Sequence, residues 1–136
     1  MDVFISPRVT HDTKYFWESC RRHTLQLQQC LDCGTFYWPA GRFCPYCLSE
    51  NVAWKPVSGR GHVFSYVIFR RAFDPRLAIK LPYVVAVIQL EEGPKIISNV
   101  VGCDPDEVYM DMPVINTWAD AEEVTIPQFM PDSEMS

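Results

Sequence analysis

Apolar and polar positions alternate with a period near two over most of this chain, and with a helical period only near its start. Residues 11–23, His-Asp-Thr-Lys-Tyr-Phe-Trp-Glu-Ser-Cys-Arg-Arg-His, set Phe16 and Cys20 four apart on one face, with Asp12 or Thr13 placed to cap. That spacing predicts a short amphipathic helix. Residues 52–57 alternate and are closed by Ser-Gly-Arg-Gly, and residues 61–71 follow, rich in β-branched and aromatic side chains. Residues 83–90 are almost wholly apolar, Glu91-Glu-Gly-Pro94 makes a turn, and residues 95–101 continue as the hairpin partner. In Asp104-Pro-Asp-Glu107 an N-cap residue precedes a proline and a glutamate follows at the third helical position, which predicts one or two helical turns over residues 108–110. Residues 113–118 and 122–129 read as two further short strands.

About five antiparallel strands, with a short helix between the third and fourth, is the order of an OB-fold barrel. With two Cys-x-x-Cys pairs, Cys30/Cys33 and Cys44/Cys47, ahead of these strands, the fold class expected is mainly β: an N-terminal helical segment (residues 1–26), a rubredoxin-like zinc ribbon (27–51), a five-stranded antiparallel OB-fold barrel (52–130) and a flexible tail (131–136).

The alternation is interrupted at residues 30–47, where four of the six cysteines stand in two Cys-x-x-Cys pairs. Gly34 follows the pair Cys30/Cys33, and Pro45 lies inside the pair Cys44/Cys47. Two such knuckles bring four thiolates to a tetrahedron, with residues 34–43 expected as a hairpin turning at Pro39-Ala-Gly41. A segment of about twenty residues buries no core of its own, and structural zinc supplies an apparent folding energy of about 10–16 kcal/mol in such peptides. Taken alone, Cys44-Pro-Tyr-Cys47 is also a redox dithiol motif, but that chemistry needs a preceding strand and a following helix that this pattern lacks. The same four thiolates suit a single iron as in rubredoxin; zinc is favoured because no second redox site is visible.

Composition narrows the class. Hydrophobic residues make up 48% of the 136, and eighteen aromatics (eight Phe, six Tyr, four Trp) require a packed core. No apolar run approaches the roughly 20 residues that span a bilayer, and the start lacks a basic then apolar leader pattern, so a cytoplasmic location is the expectation. There, paired cysteines serve metals or redox more often than disulfides.

The formal charge of −5 is uneven. Six basic residues between positions 55 and 80 (Lys55, Arg60, Arg70, Arg71, Arg76, Lys80) meet only Asp74, while beyond them Lys95 stands against eleven carboxylates. An acidic chain is a poor phosphate binder overall, so nucleic acid is disfavoured, although the basic segment is placed to hold a small phosphorylated ligand. Cys20 and Cys103 read as small apolar residues, and His11, His23 and His62 as surface groups. No Gly-rich phosphate loop, paired carboxylates or nucleophile triad is present, and no catalytic residue is assigned.

The ordered series Phe16-Trp17-Glu, Leu25-Gln-Leu-Gln-Gln-Cys30-x-x-Cys33-Gly, Cys44-Pro-x-Cys47, Val57-Ser-Gly-Arg-Gly61, Phe64-Ser-Tyr66, Leu81-Pro-Tyr-Val-Val-Ala86, Asn99-Val-Val-Gly-Cys-Asp104 and Met112-Pro-Val114 resembles one family over residues 14–130. It is similar to the zinc-ribbon plus OB-fold proteins known as domain-of-unknown-function family thirty-five. The resemblance implies a non-catalytic accessory subunit of a thiolase-like acyl-CoA enzyme. Such a subunit braces the complex and helps form the acyl-CoA channel for Claisen-type carbon–carbon cleavage or formation, by thiolysis, retro-aldol reaction or acyl transfer. A nucleic-acid-binding module is the alternative. On the subunit reading, Arg70, Arg71, Arg76 and Lys80 are candidate contacts to coenzyme A or the partner, and Tyr15, Phe16, Trp17 and Phe129 candidate interface anchors.

Overall fold

A computed structural model describes residues 13–70, 82–122 and 124–132. The predicted helix is there but shorter: α1 runs Lys14–Arg21 and buries Phe16, Ser19 and Cys20. Thr13 occupies the N-cap, and its side chain does not make the capping hydrogen bond. The helix stops where His23 turns to a φ of 59°, and the Ser19 hydroxyl donates to the Thr24 carbonyl at 2.7 Å.

Strands β1 (Gln26–Cys30), β2 (Phe36–Tyr37) and β3 (Val52–Pro56) form an antiparallel sheet in the order β2-β1-β3. Here the structure corrects two expectations. The stretch 34–43 is not a hairpin by itself, because Phe36 and Tyr37 pair back onto Gln29 and Gln28 of β1. The strand at 52–56 belongs to this sheet and not to the barrel: it pairs along all of β1, from Gln26↔Pro56 to Cys30↔Val52. Divisions at 26/27 and 51/52 therefore cut one sheet.

The barrel is built from β4 (Arg60–Phe69), β5 (Tyr83–Leu90), β6 (Lys95–Val100), β7 (Pro113–Asp120) and β8 (Thr125–Pro131), closed in the order β4-β5-β6-β8-β7. Among these pairings one is parallel, β6 with β8 at Val100↔Phe129, so the barrel is not wholly antiparallel. Gly61 is required where β4 crosses β5, since a Cβ there would overlap the Gln89 carbonyl oxygen. Between β6 and β7 the helical turn lies earlier than expected, as a 3-10 turn at Pro105–Glu107. The predicted cap explains it: the Asp106 amide donates to Asp104 Oδ1 at 2.9 Å and Glu107 closes the box, while Val108 is already extended. The tail boundary also moves, because Pro131 ends β8 and Asp132 is buried.

Along β5 the burial alternates strictly, Val84, Ala86, Ile88 and Leu90 inward, although the sequence there is apolar except for Gln89. These residues join Val63, Ile96, Val100, Val108, Met112, Val114 and Phe129 in one core that extends without a break to Phe16, Cys20, Leu25 and Leu27. The helix and the base of the small sheet are thereby fixed on the barrel, and β1 carries Cys30 outward from that anchored base. No helix among the described residues is long and apolar enough to cross a membrane.

Candidate metal centre

The two Cys-x-x-Cys turns are built alike. In the first, the Cys30 amide donates to the Thr35 carbonyl at 3.0 Å and the Gly34 amide to the Cys30 carbonyl at 2.8 Å; in the second, Cys44 donates to Ser49 at 2.9 Å and Leu48 to Cys44 at 2.8 Å. Both chains then reverse through a positive φ just after the second cysteine, 77° at Gly34 and 63° at Leu48. Each turn also aims an amide at a sulfur: Cys33 N–H to Cys30 Sγ, and Tyr46 N–H to Cys44 Sγ, both at 3.4 Å.

The result is four sulfurs within 4.8 Å of one another, with Cys30 3.5 Å from Cys47 and Cys33 3.7 Å from Cys44. A tetrahedral zinc ion with Zn–S near 2.3 Å sets its sulfurs about 3.8 Å apart, so the residues fit a zinc ion held by Cys30, Cys33, Cys44 and Cys47. Four thiolate donors leave no open coordination position, which makes such a site structural. Cys30 and Cys44 are buried, Cys33 and Cys47 exposed. Thr35 holds the Cys33 thiol down, to about 6. At Cys47 the Ser49 amide pulls the same way, but the neighbouring sulfurs, Cys30 first, push that thiol up to about 12. Crowded thiols oppose one another's ionisation, and a bound cation removes that conflict.

Several supporting residues escaped the reading of the sequence. Asp32 accepts from the Ser49 hydroxyl and, at 3.2 Å, from Asn51 Nδ2, which clips the first turn to the exit of the second and lowers the Asp32 pKa. The buried Gln28 side chain takes the Gly41 amide at 2.7 Å, and the Tyr37 hydroxyl donates to the Gly41 carbonyl at 3.2 Å. A signal was available: Thr35 and Ser49 stand at the same offset, two residues past each pair.

This architecture has known counterparts. Residues 17–53 match the family described as the ChsH2 rubredoxin-like zinc ribbon domain, and residues 54–118 the ChsH2 C-terminal OB-fold domain. A solved structure named "Ltp2-ChsH2(DUF35) aldolase" superposes with a TM-score of 0.84 at 34% identity, covering 93% of this chain and 98% of that one. The chain belongs to the DUF35 family. Among other relatives of this DUF35 chain, a "probable enoyl-CoA hydratase alpha subunit" of Thermomonospora curvata is 35% identical over 126 residues, 92% of this chain and 39% of that protein. A "DUF35 domain-containing scaffold protein" of Methanocaldococcus jannaschii is 37% identical over 94 residues, 68% of this chain and 66% of that protein. The chain thus spans about two-fifths of the hydratase subunit it matches.

The other predicted residues are dispersed. Phe16 and Phe129, expected as interface anchors, are 2% and 0% exposed in this chain's own core, with the Phe16 ring 4.5 Å from that of Trp38. Trp17 packs half-buried against the same core, while Tyr15 stays 41% exposed, 5.1 Å from the Trp54 ring and beneath the Arg22 guanidinium. Arg70 is paired with Asp106 at 2.6 Å; Arg71, Arg76 and Lys80 lie outside the described residues. Cys20 is buried as expected, whereas Cys103 is only half-buried.

Proposed function

We propose that this chain is an accessory subunit of an acyl-CoA enzyme complex, in which a larger protein subunit carries the catalytic groups. The observation that carries the reading is the full-length likeness, 34% identical over 98% of the matched chain, to the DUF35 component of an aldolase complex. The chemistry of this chain's remaining thiols agrees with it. Burial pushes Cys20 up to about 12, and burial with the nearby carboxylates Glu107 and Asp104 raises Cys103, the opposite of what an activated nucleophile needs.

On the finer reading the larger subunit is thiolase-like. It performs Claisen-type carbon–carbon bond chemistry on a coenzyme A ester, while this chain braces it and borders the channel through Tyr15 and the segment that begins at Arg70. The word "aldolase" in the matched structure favours carbon–carbon cleavage; the hydratase relative favours a hydratase complex as the second reading. A reducing cytoplasm is the compartment that keeps four thiols free for a metal.

The test is capture of the tagged chain from its native host, with mass spectrometry of what comes down. A stoichiometric thiolase-like enzyme supports the finer reading and a hydratase the second. Oligonucleotide binding at physiological salt, with no enzyme captured, rejects both.

A further inference from the structure

The outward side of the sheet made by β4, β5 and β6 has an aliphatic centre, with the stacked pair Phe69 and Tyr83, ring centres 5.1 Å apart, at one end. Because Val84, Ala86, Ile88 and Leu90 of β5 and Ile96, Ser98 and Val100 of β6 are buried, their alternates Val85, Val87 and Ile97 face out. The register sets Val67 beside Val85, and Val87 between Ser65 and Ile97, so these side chains are neighbours on one surface. Val67 is 57% and Ile97 76% exposed. A bulge between Val63 and Ser65 adds Phe64 to the same side, where the Lys95 ammonium lies 4.2 Å from its ring centre. Two polar side chains on this side are committed within the chain: Asn99 Nδ2 donates to the Val84 carbonyl at 2.9 Å, and Gln89 Nε2 to the Gly93 carbonyl at 3.3 Å.

We propose that this face, centred on Val67, Val85, Val87 and Ile97, is the docking surface for the larger subunit, which presents an apolar patch with a carboxylate set to meet Lys95. The inference rests on the accessory-subunit reading for the partner's identity, and on the sheet alone for the place. Contiguous exposed aliphatic surface of this kind marks an interface. It lies on the convex outside of a closed barrel, whereas small ligands and acyl chains are taken by concave sites, so its occupant is a protein. The three strands hold no Asp or Glu, so a second copy of this chain stacked on the same face has no carboxylate for Lys95. OB barrels that bind single strands do so on the sheet face of their second and third strands, with stacking aromatics and free cations. Here those strands are β5 and β6, and the centre of the face is aliphatic; its aromatics are engaged at the margins, Phe69 stacked on Tyr83 and Phe64 beneath Lys95.

The experiment compares the tagged wild-type chain with the double variant V67E/I97E in capture from the native host, then titrates the identified partner against each purified chain. Wild type is expected to bind one enzyme stoichiometrically. The double variant should bind at least about 30-fold more weakly, with its melting temperature within a few degrees of wild type. Should the double glutamate impair folding, V67T/I97T keeps the β-branched shape and is expected to weaken binding several-fold. Lys95→Glu is expected to flatten the salt dependence of association.

Equal affinity of wild type and both double variants overturns the proposal. Failure to capture any protein overturns it too, as does a wild-type homodimer that the double variant dissolves. An acyl-CoA enzyme retained by the variants removes the face and keeps the accessory-subunit reading. A partner of another class, lost on V67E/I97E, keeps the face and removes that reading.

Discussion

In the barrel, side chains from five strands and α1 meet in one continuous cluster that includes Val63, Ile88, Leu90, Val114 and Phe129, all 2% exposed or less. In the ribbon, the separate buried group among the described residues is Cys30, Tyr37 and Cys44, with Val52 against it. Two of those three are metal-ligand candidates. One region excludes water with hydrocarbon, and the other has too little hydrocarbon to do so and places four sulfurs together instead. The difference follows from length: about twenty residues cannot bury enough apolar surface to offset their conformational entropy, and a bound cation replaces the missing term.

Removing the metal is therefore the strongest way to break the comparison. Chelation, or the pair C30S/C33S, is expected to abolish the order of residues 36–50, a loss comparable to the roughly 10 kcal/mol that structural zinc contributes. Amide exchange should show those residues unprotected while β5 and β6 keep their protection. Simultaneous loss of protection in both would mean that β1 and β3, whose base shares the barrel core through Leu25 and Leu27, couple the regions into one unit. The converse cut is Phe129→Ala. The ring is fully buried where β8 meets β6, and its truncation should cost about 3–5 kcal/mol, read as a lower melting temperature with one zinc per chain retained.

The same contrast explains what was legible in the sequence. Short-range signals were sufficient for the four candidate ligands and Gly34, which all sit within twenty residues, although the matching offset of Thr35 and Ser49 was missed. Period-two patterning likewise placed the barrel strands. What it could not convey is which strand a strand pairs with. Residues 52–56 alternate like a barrel strand, yet they zip along β1, a choice set by a partner twenty-odd residues upstream. The parallel closure of β6 on β8 is equally non-local. Nor does an aromatic state its own burial: Tyr15, Phe16 and Trp17 are consecutive, yet only the helical phase and the core beneath decide that Phe16 is enclosed and Tyr15 is not. The aliphatic centre of the barrel's outer face was hidden for a related reason, since a nearly all-apolar β5 reads as a strand buried on both sides.

A smaller effect distinguishes the barrel core from the ribbon by pH. Cys20, fully buried on the inner face of α1, has its thiol pushed up to about 12 by desolvation, against 9.0 when unhindered. Between those values the unfolded chain has lost a proton that the folded chain keeps, so stability falls as pH rises, by up to about 1.4 kcal/mol per pH unit. The contribution is complete below pH 9 and lost towards pH 12. Denaturant titrations at pH 8, 9 and 10 should show a steeper decline for wild type than for Cys20→Ala; parallel declines would mean the thiol is not shielded.

The finest test compares the two turns within the ribbon. They share hydrogen bonds and a positive φ, but the first uses Gly34 and the second Leu48 at 63°. A left-handed conformation costs a non-glycine residue about 1–2 kcal/mol, whereas glycine adopts it freely and gives back about 0.5–1 kcal/mol as chain entropy. The Leu48 side chain recovers nothing by burial, being 75% exposed. Leu48→Gly is therefore expected to stabilise the ribbon by about 0.5 kcal/mol and to tighten zinc retention against a chelator correspondingly. Gly34→Leu, which has open space but the same φ, should do the reverse. If Leu48→Gly instead weakens the captured complex without loosening zinc, the strained leucine is held outward for a partner, and the asymmetry between the turns belongs to binding and not to folding.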